Sequence, residues 1–188
     1  MKKLSELFKS SVLIILGGLL LLANLNSLAA TGAQLALGII AVIISSYYIV
    51  MGILDIFIGD KMSNGVAKVF STISISLFAG LFFANILCNV IAGYQTMGPT
   101  AWVVDLVGMI ASIAFMVVYI IAACVPNKAL ARLCGVFAAI FALGLVLDLL
   151  FLANGNAAQI DNISLVTLII YACYAYIAFN GINQIAKE

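Results

Sequence analysis

Three carboxylates interrupt long apolar stretches of this sequence: Asp55, Asp105 and Asp148. An ionisable group at membrane depth is costly, so each is a candidate for an ion path, a solute site or a helix-to-helix bond. Asp148 has the least visible compensation. It lies six residues before Asn154, about 9 Å into its helix at 1.5 Å per residue. There the helix dipole disfavours an anion, and no Lys or Arg shares that end. Asp105 stands near the start of a helix, where the dipole favours a carboxylate by ~0.3–1 kcal/mol. Asp55 lies near an inner helix end, with Lys61 in reach along the chain. Amides accompany the outer carboxylates. Asn85 and Asn89 are one helical turn apart on one face, and Asn24 and Asn26 close the first apolar run. Asn24, Asn26, Asn85, Asn89, Asp105 and Asp148 therefore collect in one half of the chain's layout. They either line an outward polar pocket for a small solute or ion, or act as interhelical hydrogen bonds worth ~0.6 kcal/mol each.

Other chemistry is missing from the sequence. There is no His, which removes histidine-ligated haem, most catalytic zinc sites and His-based acid–base catalysis. No glycine-rich phosphate loop and no nucleophile elbow occurs. Cys88, Cys124, Cys134 and Cys173 form no C-x-x-C pair, and small apolar packing is the usual role of a free cysteine. We expect no enzyme, no cofactor and no metal.

The elements that position these residues follow from composition. The 188 residues are 66% hydrophobic and 8% charged, and the mean hydropathy is +1.29. A soluble domain carries about 25% charged residues, so a soluble enzyme, a nucleic-acid binder and a disordered tail are all excluded. A spanning helix needs about 20 apolar residues. Residues 10–54, 69–104 and 106–127 carry no charge. Polar breaks at 24–34 and 93–99 split the two longer runs. The runs are long and do not alternate, which points to helices rather than a barrel. The expected fold is all-α: one transmembrane domain over 1–188, a bundle of six helices at roughly 10–30, 34–59, 66–93, 101–125, 129–153 and 162–184. Lys2, Lys3, Lys9, Lys61, Lys68, Lys128, Arg132 and Lys187 all fall on one side of that layout. The excess of basic residues in cytoplasmic loops then places both termini in the cytoplasm of a multi-pass cell-membrane protein. Residues 2–29 also have the outline of a signal peptide; we read them as a retained span or an uncleaved anchor.

Two further patterns concern packing. Thr72, Ser76, Gly80, Ala84 and Cys88 form a small residue every fourth position, a seam along which helix backbones approach closely. Tyr47, Tyr48, Tyr171 and Tyr174 fall near mid-membrane, although tyrosine prefers the interface. Each buried phenol needs a partner, which Ser45, Ser46 or a helix carbonyl could supply. Trp102 reads as an interface anchor. The chain divides into three hairpins, and the second helix of each carries a tyrosine: Tyr48, Tyr119 and Tyr174.

The first hairpin resembles the HdeD-like family of small bacterial inner-membrane proteins. Val12-Leu13-Ile14-Ile15-Leu16-Gly17-Gly18-Leu19-Leu20 is similar to its glycine-containing first helix. Leu37-Gly38-Ile39 and Val50-Met51-Gly52-Ile53-Leu54-Asp55 are similar to its second. Asn24-Leu25-Asn26 stands where members have a proline. The resemblance implies six helices built from hairpin repeats and a role in acid or stress adaptation, with no functional residues to carry over. The alternatives are a small-solute or ion transporter or channel using the outer Asp/Asn cluster, or a membrane subunit of a larger transporter. The vitamin-transporter type of subunit carries an A-x-x-x-A stripe on its first helix, which Gly17, Gly18 and Ala23 do not reproduce. Partners suited to such a chain are the lipid bilayer, a second copy or another membrane protein, and not nucleic acid.

Overall fold

The structure, a computed structural model, describes residues 4–93, 99–125, 127–155 and 162–187, with side chains at most of these positions. Six helices occupy nearly all of it: α1 (Leu4–Asn24), α2 (Ala33–Ile58), α3 (Asn64–Gly93), α4 (Pro99–Cys124), α5 (Lys128–Gly155) and α6 (Asn162–Lys187). Among the described residues there is no strand. Five helices are long and apolar enough to cross a membrane, over Leu7–Ala29, Ala33–Ile58, Gly65–Cys88, Asp105–Cys124 and Leu165–Ala186. The remaining one, α5, has 28 residues, about 42 Å of helix and long enough to span.

The helix limits differ from expectation most at α1. It begins at Leu4, six residues before the expected start at 10, and ends at Asn24. Charged residues mark where the apolar layer begins, but Glu and Lys are good helix formers and the helix runs through them. At the other end the Asn24 side-chain amide donates to the Leu20 carbonyl at 2.9 Å, and the chain tightens into a 3₁₀ turn over Leu25–Ala29. Gly32, with φ of +65°, makes the reversal into α2, a backbone conformation that glycine adopts without a steric penalty. Pro99 opens α4, where its missing N–H has no helical partner to lose.

Successive helices run antiparallel. Gly17 lies against Ser45 and Ile49, and Gly52 against Ser10 and Ile14, which fixes the α1/α2 register. Among the described residues α1 and α2 share the most extensive helix-to-helix contact. The seam brings Ser10, Ile14 and Gly17 of α1 against Ser45, Ile49 and Gly52 of α2, at three- and four-residue steps in both helices, and Gly38 lies against Ser27 of the 3₁₀ turn. Small residues at this spacing let the backbones meet. The ring of neighbours closes in the order α2, α1, α6, α5, α4, α3, and α3 also reaches across to α6. One hydrophobic cluster draws residues from all six helices, with Leu16, Tyr48, Ile75, Phe115, Cys134 and Tyr174 among the most buried. The start of α1, the α2–α3 connection and the α4–α5 connection share one end of the bundle, because Ser10 meets Asp55 and Tyr119 meets both Ser71 and Gly181. Lys9, Lys61, Lys68, Lys128 and Arg132 belong to those segments.

Candidate functional site

The interior polar groups gather on α3. Tyr48 from α2, Tyr119 from α4 and Tyr174 from α6 are each at most 2% exposed, and all three point at residues 71–75. The Tyr48 hydroxyl donates to the Ser74 carbonyl. The Tyr174 hydroxyl donates to the Ile75 carbonyl at 3.0 Å. The Tyr119 side chain lies beside Ser71, and its hydroxyl lies so close to Gly181 that any side chain there would overlap it. Beside them Tyr47 donates to the Phe70 carbonyl at 3.2 Å, and the Ser74 hydroxyl donates to the same carbonyl at 2.8 Å. A carbonyl oxygen has two lone pairs, so the Ser74 and Ile75 carbonyls each accept a phenol without giving up the helical ladder. The expected internal tyrosine network is thus present and uses helix carbonyls. Ser45 and Ser46 instead bond within α2, to Ala41 at 2.6 Å and Val42 at 2.8 Å. Phe78 stacks on Tyr174 with ring centres 4.0 Å apart and meets Tyr171 edge-on. Aromatic rings therefore fill the centre of the bundle at this level.

At the basic end lies a cavity of about 40 Å³, lined by Lys9, Asp55, Ser71 and Ser74 and walled by apolar side chains that include Met51 and Phe70. That is room for about two or three water molecules. Asp55 is held from the neighbouring helix, with fully buried Ser10 donating its hydroxyl to Asp55 Oδ2 at 2.5 Å. The sequence suggested Lys61 as the partner; the bond found is to Ser10, 45 residues earlier. Gly52 makes it possible, since a Cβ there would stand 2.8 Å from the Ser10 carbonyl. Among the described residues no three Cys, Asp or Glu side chains converge as metal ligands do.

The other candidate residues are more dispersed. Asn24 turns its amide back onto its own helix. Asn26 and Asn85 are exposed on the outside of the bundle. Asp105 is half-buried in α4 and engaged with a partner. The side chains of Asn89, Asp148 and Trp102 lie outside the described residues. Along the α3 stripe, Thr72 bonds the Lys68 carbonyl at 2.9 Å, and the buried Ser76 hydroxyl has no hydrogen-bond partner among the described residues. Gly80 approaches only Met116, at 3.9 Å from a Cβ built there, and Ala84 and Cys88 are half-buried. Among the described glycines, Gly17 and Gly52 are the ones that approach the backbone of a neighbouring α-helix.

Sequence reasoning missed the Ser10–Asp55 bond and the Gly17 and Gly52 contacts. The spacing of the small residues Ser45 and Gly52 was a signal for that seam. Nothing local announces that Ser10 pairs with Asp55. No protein-family model, curated protein or solved structure matches the chain at a significant level. Length, apolarity and the closed ring of helices define the class: an integral membrane protein built as a helical bundle.

Proposed function

We propose that this protein is an HdeD-like multi-pass protein of the cell membrane, with both termini in the cytoplasm. It serves stress adaptation through the bilayer or a partner membrane protein, and neither catalyses a reaction nor conducts a solute through its centre. The observation that supports the non-conducting reading is the aromatic seam, where Tyr48, Tyr174 and Phe78 occupy the axis and tie α2 and α6 to α3. A conducting path needs polar groups exposed to a continuous aqueous lumen. Here the hydroxyls are committed to helix carbonyls. The inner placement of the termini rests on the gathering of Lys and Arg at one end, and the stress role on the resemblance of the first hairpin.

Reconstitution into liposomes loaded with a pH dye and, separately, with radiolabelled small solutes tests this. The expected result is leakage equal to that of protein-free vesicles, together with a survival defect at low pH in cells lacking the protein. Saturable uptake of an ion or solute by the wild-type protein would overturn it in favour of the transporter.

A further inference from the structure

We propose that the cavity at the basic end of the bundle seats the headgroup of a zwitterionic phospholipid with a primary ammonium, of the phosphoethanolamine type. Among the described residues the cavity is lined by one cation, Lys9, and one carboxylate, Asp55. A free phosphate would be drawn by Lys9 and repelled by Asp55, and a simple cation would meet the reverse. A zwitterion satisfies both charges at once. The Ser10 hydroxyl fixes Asp55 through Oδ2, and Oδ1 remains to accept from an ammonium. Charge-assisted bonds of this kind are the stronger ones in proteins.

Size and position agree with that occupant. About 40 Å³ takes roughly three heavy atoms, counted as waters, which suits an ammonium on a two-carbon arm. The phosphate would then stay at the mouth beside Lys9. A trimethylammonium group is bulkier and has no N–H to donate. Leu13, Met51, Met62, Phe70 and Ile177 supply an apolar wall for the arm and the glycerol. The cavity is not enclosed. Lys9 immediately precedes the charge-free run of α1, and Asp55 lies three residues from the end of α2 at Ile58, so the site stands at the level of the membrane surface. The inference rests on the membrane-spanning bundle and not on the stress role or the absence of transport, so the two fail separately.

The test is competitive binding to the full-length protein in detergent micelles, read by native mass spectrometry. The probes are phosphatidylethanolamine, phosphatidylcholine and phosphatidylglycerol with identical acyl chains. The wild type is expected to retain the ethanolamine lipid over the choline lipid by about tenfold, the value of one bond to a charged group. Asp55→Asn keeps the shape and still accepts the Ser10 hydroxyl, but leaves the cavity with a net positive charge. It should lose the ethanolamine preference and gain binding of phosphatidylglycerol, a gain that an unfolded variant cannot produce. Lys9→Gln should weaken both phosphatidylethanolamine and phosphatidylglycerol. Equal retention of the ethanolamine and choline lipids by the wild type would overturn the proposal, as would an unchanged preference in Asp55→Asn. Competition by water-soluble phosphoethanolamine at the same concentration as the lipid would overturn the lipid as the source of the headgroup.

Discussion

Two adjacent glycines on α1 should respond differently to the same substitution, one stabilised by alanine and the other not. A Cβ at Gly17 would lie 2.7 Å from the Ser45 carbonyl oxygen, 2.8 Å from Ile49 Cγ1 and 3.0 Å from the Ile49 backbone nitrogen. Two of those atoms are backbone and cannot rotate away, so α1 and α2 would have to separate by about 0.7 Å to reach ordinary contact at 3.4 Å. A Cβ at Gly18 would meet nothing within 4 Å. Replacing either glycine with alanine stiffens the helix and contributes about 1 kcal/mol. At Gly17 overpacking costs about 1–3 kcal/mol against this. Gly18→Ala should therefore stabilise by up to about 1 kcal/mol, and Gly17→Ala should range from neutral to about 2 kcal/mol destabilising. The helix term is common to both, so their difference isolates the packing cost, about 5- to 150-fold in the folded-to-unfolded ratio. Reversible unfolding by SDS in mixed micelles, followed through the fluorescence of the single tryptophan, measures it. Equal shifts in the two variants would refute the α1/α2 register, and with it the contact that brings Ser10 to Asp55.

Tyr48→Phe removes one hydroxyl from the Ser74 carbonyl, which keeps its helical partner, so the loss should be about 0.6 kcal/mol, typical of a side-chain bond between membrane helices. Tyr48→Ala removes a fully buried ring and should cost about 3–5 kcal/mol in the same unfolding assay. Cys124 is exposed and Cys134 buried, so a thiol reagent added to the folded protein in detergent should modify Cys124 rapidly and Cys134 only after denaturation; mass spectrometry of proteolytic peptides reads both. Ser10→Ala leaves the Asp55 carboxylate without the hydroxyl it accepts from, and should destabilise by about 1–3 kcal/mol.

What could be read ahead of the structure follows the demands of the bilayer. Lipid accepts only long apolar segments with internally bonded backbones, so the runs between Lys9 and Asp55 and between Lys68 and Asp105 locate helices without any tertiary information. They do not locate helix ends: α1 continues outward past Lys9 to Leu4 because the helix outlasts the apolar layer. The need of Tyr48 and Tyr174 for partners is also legible, since a buried phenol must donate. Which carbonyls they reach depends on how each helix is rotated about its axis, and nearly uniform apolarity around these helices hides that rotation. The same blindness explains the asparagines. Asn85 sits on the expected outer third of α3 yet faces outward, and Asn24 finds its acceptor one turn back on its own helix. Small residues carry rotational information, because they mark where backbones meet. They do so on both α1 and α2, and the α1/α2 seam was open to that reading, whereas the more regular stripe on α3 meets no comparably close backbone at Gly80.

The central proposal is that the basic end of the bundle, where α1 begins and α6 ends, faces the cytoplasm. Single cysteines introduced at Thr31, Ser63 and Asn127 in a variant lacking the four native cysteines, probed in intact cells with a membrane-impermeant maleimide, test it most directly. The account predicts labelling of Thr31 from outside, and of Ser63 and Asn127 only after the cells are opened. Labelling of Thr31 and Ser63 from the same side would contradict it, because α2 would then not cross the membrane.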